Sequence, residues 1–160
     1  MLKRSQIFVA LIGVGLLVIG AALTYFSSRR FSEQHVLANA GTCRLEMNVV
    51  QLAGLPENSQ GGTVILFHGL SANKVIMTYL ARAFALQGLR VYVPDLPGHG
   101  RSAGPFTPDV AEACAQSFVR GLSARGYLRP DRTILAGHSM GGAIALSVAE
   151  KVRVAGVIAI

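Results

Sequence analysis

The sequence predicts an α/β protein built on a parallel β-sheet flanked by helices. Short apolar runs recur at TVILF (63–67), RVYVP (90–94), TILA (133–136) and VAGVIAI (154–160), amphipathic segments at helical spacing separate them, and glycine- and proline-rich turns mark the junctions. A strand buried on both faces reads as a continuous apolar run, as strands of parallel sheets do. Alternation of such runs with helical patterns is what strand–helix–strand crossovers require.

Along the chain, the first feature is the run IFVALIGVGLLVIGAALTYF at residues 7–26, which carries no charge and has Lys3 and Arg4 on one side and Arg29 and Arg30 on the other. At about 1.5 Å per residue, twenty residues span roughly the 30 Å of a bilayer core. A secretory signal has a shorter apolar region followed promptly by a small-residue cleavage site, whereas the Ala38-Asn39-Ala40 triplet lies well past Phe26. The expectation is therefore an uncleaved, single-pass membrane anchor over 1–26. The basic tail before it favours a cytoplasmic N-terminus and an extracytoplasmic domain, with Arg29, Arg30 and Arg44 pulling the other way.

Residues 27–40 are polar and mixed and read as a linker, leaving 41–160 as the folded domain. Thr42 to Leu52 alternates as a strand with Leu45, Met47 and Val49 on one face. After the turn PENSQGG and the strand TVILF, Ser71 and Asn73 offer N-cap oxygens to a helix with the stripe Ile76, Leu80, Ala83 and Phe84, closed by Gly88. The strand RVYVP leads into the long loop LPGHGRSAGPFTP. Pro108 opens a second helix, with Val110, Ala113, Cys114, Phe118, Gly121 and Leu122 on one face. Thr133 to Ala136 is a strand, Gly141 to Glu150 a helix, and Val154 to Ile160 a last strand. Being apolar on both faces, that strand calls for further neighbours, so the expectation is the N-terminal part of a larger domain, ending after about the sixth strand.

The formal net charge is +7 over 160 residues. Arg120, Arg125, Arg129 and Arg132 cluster at a helix end and loop, but only Tyr127 interleaves with them. That argues against a nucleic-acid surface and suits attraction to anionic lipid headgroups. Cys43 and Cys114 have no metal-ligand spacing, and Cys114 reads as a core residue of its helix. No metal or cofactor is expected.

The pentapeptide Gly137-His138-Ser139-Met140-Gly141 follows one strand and opens a helix, which is the context of a nucleophile elbow, a turn too tight for anything but small residues beside the serine. A serine hydroxyl is a weak nucleophile unless a histidine takes its proton and a carboxylate orients that histidine. Acyl transfer also builds an oxyanion, which needs backbone N–H donors already in place. Met140, after the serine, supplies one, and Leu70, after the His68-Gly69 pair at the end of an earlier strand, supplies the other. His35, His68, His99 and His138 all precede Ser139 and read as structural. Gly98-His99-Gly100-Arg101-Ser102-Ala103 matches a dinucleotide fingerprint, but Gly104, Pro105 and Pro108 stop the helix that such a site must open and no acidic residue stands near the required position. Asp95 reads as a strand-end carboxylate bonded to loop amides.

HGLSAN at 68–73, DLPGHGRS at 95–102 and GHSMGG at 137–142 together resemble the α/β-hydrolase superfamily, and within it the serine aminopeptidase, monoacylglycerol lipase and lysophospholipase-like group. The resemblance covers about Val64 to Ile160. It implies an α/β-hydrolase fold, a catalytic Ser139, oxyanion donors at Leu70 and Met140, and a triad acid and histidine from later loops. The function so implied is a membrane-anchored serine hydrolase acting on an ester, thioester or amide through an acyl-serine, with a small-molecule or lipid acyl substrate. The residues also allow a same-fold haloperoxidase or acyltransferase, or a catalytically inactive membrane-anchored binding protein.

Overall fold

A computed structural model describes residues 16–22, 29–56 and 61–160. The chain divides into two units, Met1–Phe31 and Ser32–Ile160. In the first, residues 16–22 are helical. That corrects the expected membrane span. No helix among the described residues is long and apolar enough to cross a membrane, and residues 16–22 rise only about 10 Å at about 1.5 Å per residue. The rest of the run at 7–26 lies outside the described residues. The side of a membrane assigned to the domain depended on that span and falls with it.

Six strands form one sheet: β1 (Phe31–Ala40), β2 (Cys43–Leu52), β3 (Thr63–Phe67), β4 (Arg90–Pro94), β5 (Thr133–Gly137) and β6 (Gly156–Ala159), in the order β1-β2-β4-β3-β5-β6. β3 runs parallel to β4 and β5, and β5 parallel to β6, while β2 meets β4 antiparallel with Val49 opposite Tyr92. The sheet is therefore parallel in its centre and antiparallel toward one edge. Residues 31–40, expected as part of a linker, are the edge strand β1. An edge strand keeps one face wet, so polar residues dominate FSEQHVLANA; Ala38 and Ala40 are buried and Val36 packs on the core at the period of two that marks a strand.

Three helices connect the strands: α1 (Thr78–Ala85), α2 (Pro108–Ala124) and α3 (Met140–Lys151). Thr107 caps α2 by accepting from the Val110 N–H at 3.2 Å, and Pro108 sits at its first position, where no backbone donor is needed. All five residues of β3 are buried. Met47, Val49, Ile65, Phe67, Tyr92 and Leu135 pack with Cys114, Phe118 and Leu122 of α2 and Ile144 and Val148 of α3 in one core. α1 packs on β2 and β4.

Two helical stripes differ from expectation. α1 buries Ala81 and Ala85, with Met77 just before it, while Ile76 lies ahead of the helix and is exposed. Asn73 Oδ1 accepts from the N–H groups of Val75 and Ile76, but in a turn preceding the helix. α2 buries Ala111, Cys114, Ala115, Phe118, Val119 and Leu122, a face rotated from the expected one so that Ala113 is exposed. Small alanines let the helices sit close to the sheet, and a stripe sought through large residues misses them. Cys114 is buried and also bonded to Cys43, with 5.8 Å between the Cα atoms across a sequence separation of 71. The disulfide pins α2 to the start of β2, which stabilises the fold by about 2–4 kcal/mol through the unfolded loop it closes.

Candidate active site

The C-terminal ends of β3, β4 and β5 converge through three loops. At the end of β5, Ser139 has φ +53° and ψ −120° and leads directly into α3. The flanking glycines explain how the turn closes. A Cβ on Gly137 would collide with the backbone of Gly141 and Gly142, and one on Gly141 with the Phe67 and His68 carbonyl groups. The elbow is tied to strands on either side: the His138 N–H donates to the Phe67 carbonyl at 3.2 Å, and the Ser139 N–H to the Ile160 carbonyl at 2.7 Å. The Ser139 side chain makes no capping bond to its helix, and the residue is exposed.

After β3, His68 is fully buried. Its Nε2 accepts from the Leu96 N–H at 2.9 Å, so Nδ1 carries the hydrogen and donates to the Gly69 carbonyl at 2.8 Å. Burial pushes its pKa below the ordinary histidine value, which keeps the ring neutral in this double bond. His99 Nε2 accepts from the Ser71 N–H at 3.3 Å while Nδ1 donates to the Pro97 carbonyl at 3.0 Å, and the ring meets Phe106 edge-on at 4.8 Å. The two histidines thus cross-link the loop after β3 to the loop after β4 from opposite sides.

Asp95, directly after β4, has no exposed surface. Its carboxylate accepts from the Lys74 N–H at 2.6 Å, from the Arg101 N–H at 3.0 Å and from the Lys74 ammonium, itself buried. The Ser102 hydroxyl donates to the Asp95 carbonyl at 2.7 Å and accepts from the Glu46 N–H at 2.9 Å. Gly100 leaves room for the carboxylate, which a Cβ there would strike. Asp95 does bond to loop amides, as read from the sequence, but Lys74 gave no signal: it stands in a polar stretch beside Asn73 and resembles a solvated lysine. Only the long-range pairing with Asp95 reveals it.

Of the residues singled out in the sequence, Ser139 and Met140 are adjacent at the head of α3, and Leu70 stands in the neighbouring loop, where Gly69 faces the backbone of His138 and the Cβ of Ser139. Neither the Leu70 nor the Met140 N–H donates to another group among the described residues. The Met140 N–H opens α3, where a helix leaves its first donors unpaired, and Leu70 is exposed, so both N–H groups are open to a ligand. None of the four histidines bonds to the Ser139 hydroxyl among the described residues.

The sequence profile of the alpha/beta hydrolase family matches residues 64–160, more than half of the chain. Lipase 3 of Moraxella sp. is 36% identical over 96 residues, covering 59% of this chain and 29% of that protein. The monoacylglycerol lipase of Mycolicibacterium smegmatis is 33% identical over 115 residues, covering 69% and 39% respectively. The chain thus spans about a third of the length of these curated relatives. Among solved structures, a predicted CIB-like hydrolase from Thermoplasma acidophilum aligns with a TM-score of 0.62 at 26% identity, covering 81% of this chain and 62% of that one. With the sheet order, the elbow and the profile in agreement, the chain belongs to the alpha/beta hydrolase family.

Proposed function

We propose that Ser139 is the nucleophile of a lipase- or esterase-like serine hydrolase, acting on a small-molecule or lipid ester, thioester or amide through an acyl-serine, with the Leu70 and Met140 N–H groups as oxyanion donors. The observation that carries this reading is the conjunction at the elbow: a serine held at positive φ, with its hydroxyl, and two nearby backbone donors, unbonded among the described residues. Attack by Oγ on the acyl carbon breaks the carbonyl π-bond, and the electron pair moves to the oxygen, which the two donors stabilise. Collapse expels the alcohol, thiol or amine, and water then releases the acid from Ser139.

The attack needs a base for the hydroxyl proton, and we propose that none of the four histidines supplies it. His68 and His99 use both ring nitrogens to hold loops, His138 packs on Gly69, and His35 lies in the edge strand β1. The base is another histidine, oriented by its own carboxylate, outside these positions. Without such a base, turnover of p-nitrophenyl butyrate should be slower by about 10² to 10⁴-fold, the usual contribution of general-base catalysis.

The lipases among the relatives support an acyl-ester substrate. A second reading keeps Ser139 and changes the acceptor: a putative non-heme haloperoxidase and an acetyltransferase component also match at 30% and 35% identity. The test is ester turnover with and without Ser139→Ala, in a form of the protein that carries a base. Loss to the residual rate that binding and the oxyanion donors sustain is the expected result, and turnover unchanged by the substitution overturns the proposal.

A further inference from the structure

The loop after β3 carries a turn that its own residues do not favour. The Ala72 N–H donates to the Gly69 carbonyl at 3.2 Å, which closes a four-residue turn with Leu70 and Ser71 at its centre. Ser71 has φ +59°, while Leu70 keeps a negative φ. A negative φ followed by a positive one is the type II form, whose second central position asks for glycine or asparagine. A serine there is disfavoured by about tenfold. Left to itself, Leu-Ser prefers type I, which most residues accept and which differs from type II by turning over the peptide between the two central residues.

His99 supplies what the turn lacks. The Ser71 N–H belongs to the peptide that would turn over, and it donates to His99 Nε2 at 3.3 Å. The ring is itself fixed, by its Nδ1–H on the Pro97 carbonyl at 3.0 Å, by Phe106 edge-on at 4.8 Å and by the His68 ring at 5.1 Å. In the type I form the Leu70 carbonyl would face the Nε2 lone pair in place of the N–H, and two acceptors make no bond. Leu70 follows Gly69, which faces the backbone of His138 and the Cβ of Ser139, so the form of the turn governs how the Leu70 N–H is presented to Ser139. We propose that His99 is a positioning residue for the oxyanion donor: acting through Ser71, it holds the turn in its type II form and keeps the Leu70 N–H on Ser139. This role rests on Ser139 being the nucleophile and Leu70 a donor, whereas the hold of His99 on the turn does not.

The experiment compares the full chain with His99→Phe, which keeps a ring against Phe106 and removes the acceptor, and with His99→Phe carrying Ser71→Gly, in which positive φ no longer needs one. His99→Leu, also without an acceptor, serves for the same readings where His99→Phe does not fold. The first reading is the intraresidue amide-to-Hα NOE of Ser71, which is strong only at positive φ. The second is the rate of Ser139 labelling by a fluorophosphonate, split into its binding constant and its covalent step. The NOE should be strong in the parent and weak in His99→Phe. The covalent step should slow by about tenfold, in proportion to the type II population lost, with the binding constant unchanged. Ser71→Gly should restore it to within about twofold, because glycine adopts the turn unaided. A weak NOE in the parent, or one that stays strong in His99→Phe, overturns the proposal. So does a slowing that Ser71→Gly does not reverse, which would make His99 a packing residue only, or an unchanged labelling rate once the NOE is lost. Failure of Ser139 to label in the parent overturns the nucleophile reading and the positioning role with it, while loss of the NOE in His99→Phe would still assign the turn to His99.

Discussion

Ser71 and Ser139 are the two non-glycine residues with positive φ among the described residues, at +59° and +53°. Each adjoins a backbone N–H with no partner among the described residues, Leu70 before Ser71 and Met140 after Ser139. The means of holding them differ. The loop of Ser71 is fixed by polar side chains reaching across from the loop after β4: His99 on its own N–H, His68 on Leu96, and Asp95 on Lys74. The elbow of Ser139 is fixed by backbone bonds to Phe67 and Ile160 and by glycines packed against carbonyl groups. Backbone strain persists where the surroundings over-determine it, and here two kinds of surroundings do so. The first loop should answer to charge and protonation, the second to volume.

The largest effect separating them should come from Lys74→Met. It leaves the fully buried Asp95 carboxylate without its cation, a change that costs about 3–5 kcal/mol, and chemical denaturation read against the parent measures it. The first loop should loosen while the elbow keeps its geometry. Gly141→Ala is the converse. Its methyl meets backbone that cannot give way, and overpacking costs about 1–3 kcal/mol, with amide exchange rising at His138 and Ser139 rather than at Ser71.

Protonation distinguishes the loops again. The folded-state pKa of His68 is lowered by burial from its ordinary value of 6.5, so below that value the unfolded chain binds a proton that the folded chain resists. Stability is complete above about pH 6.5 and falls as pH drops through it toward the lowered pKa. Melting temperature followed from pH 8 to pH 5 should decline over the acidic part of that range. His68→Gln should weaken the decline, at the cost of a lower melting temperature throughout. The smallest effect expected is that of Ser71→Asn. Asparagine accepts the left-handed region more readily than serine, so stability should move by no more than about 0.5 kcal/mol.

The same contrast explains how much was legible in the sequence. The elbow is a local device, with glycines, serine, strand and helix contiguous, so GHSMG carried it in full. The central strands were legible because burial on both faces leaves unbroken apolar runs. The cluster around Asp95 was legible only in part: DLPGHGRS announced a loop, but Lys74 and Glu46 reach it from distant segments, and single-residue chemistry does not encode a pairing at long range. β1 was hidden because an edge strand needs only one apolar face, and Val36, Ala38 and Ala40 are a faint signal among polar neighbours. The Cys43–Cys114 bond was hidden for the same reason as Lys74, since two cysteines far apart in sequence say nothing of their separation in space.

The central claim, that Ser139 is the nucleophile, is tested most directly by treating the chain with a fluorophosphonate and locating the adduct by peptide mass spectrometry. If Leu70 and Met140 act as the proposed oxyanion donors, Ser139 should react ahead of the other serines. The account predicts one phosphonyl adduct, on the peptide containing Ser139, that is absent from Ser139→Ala. An adduct on a different serine, or equal labelling of the parent and Ser139→Ala, would contradict it.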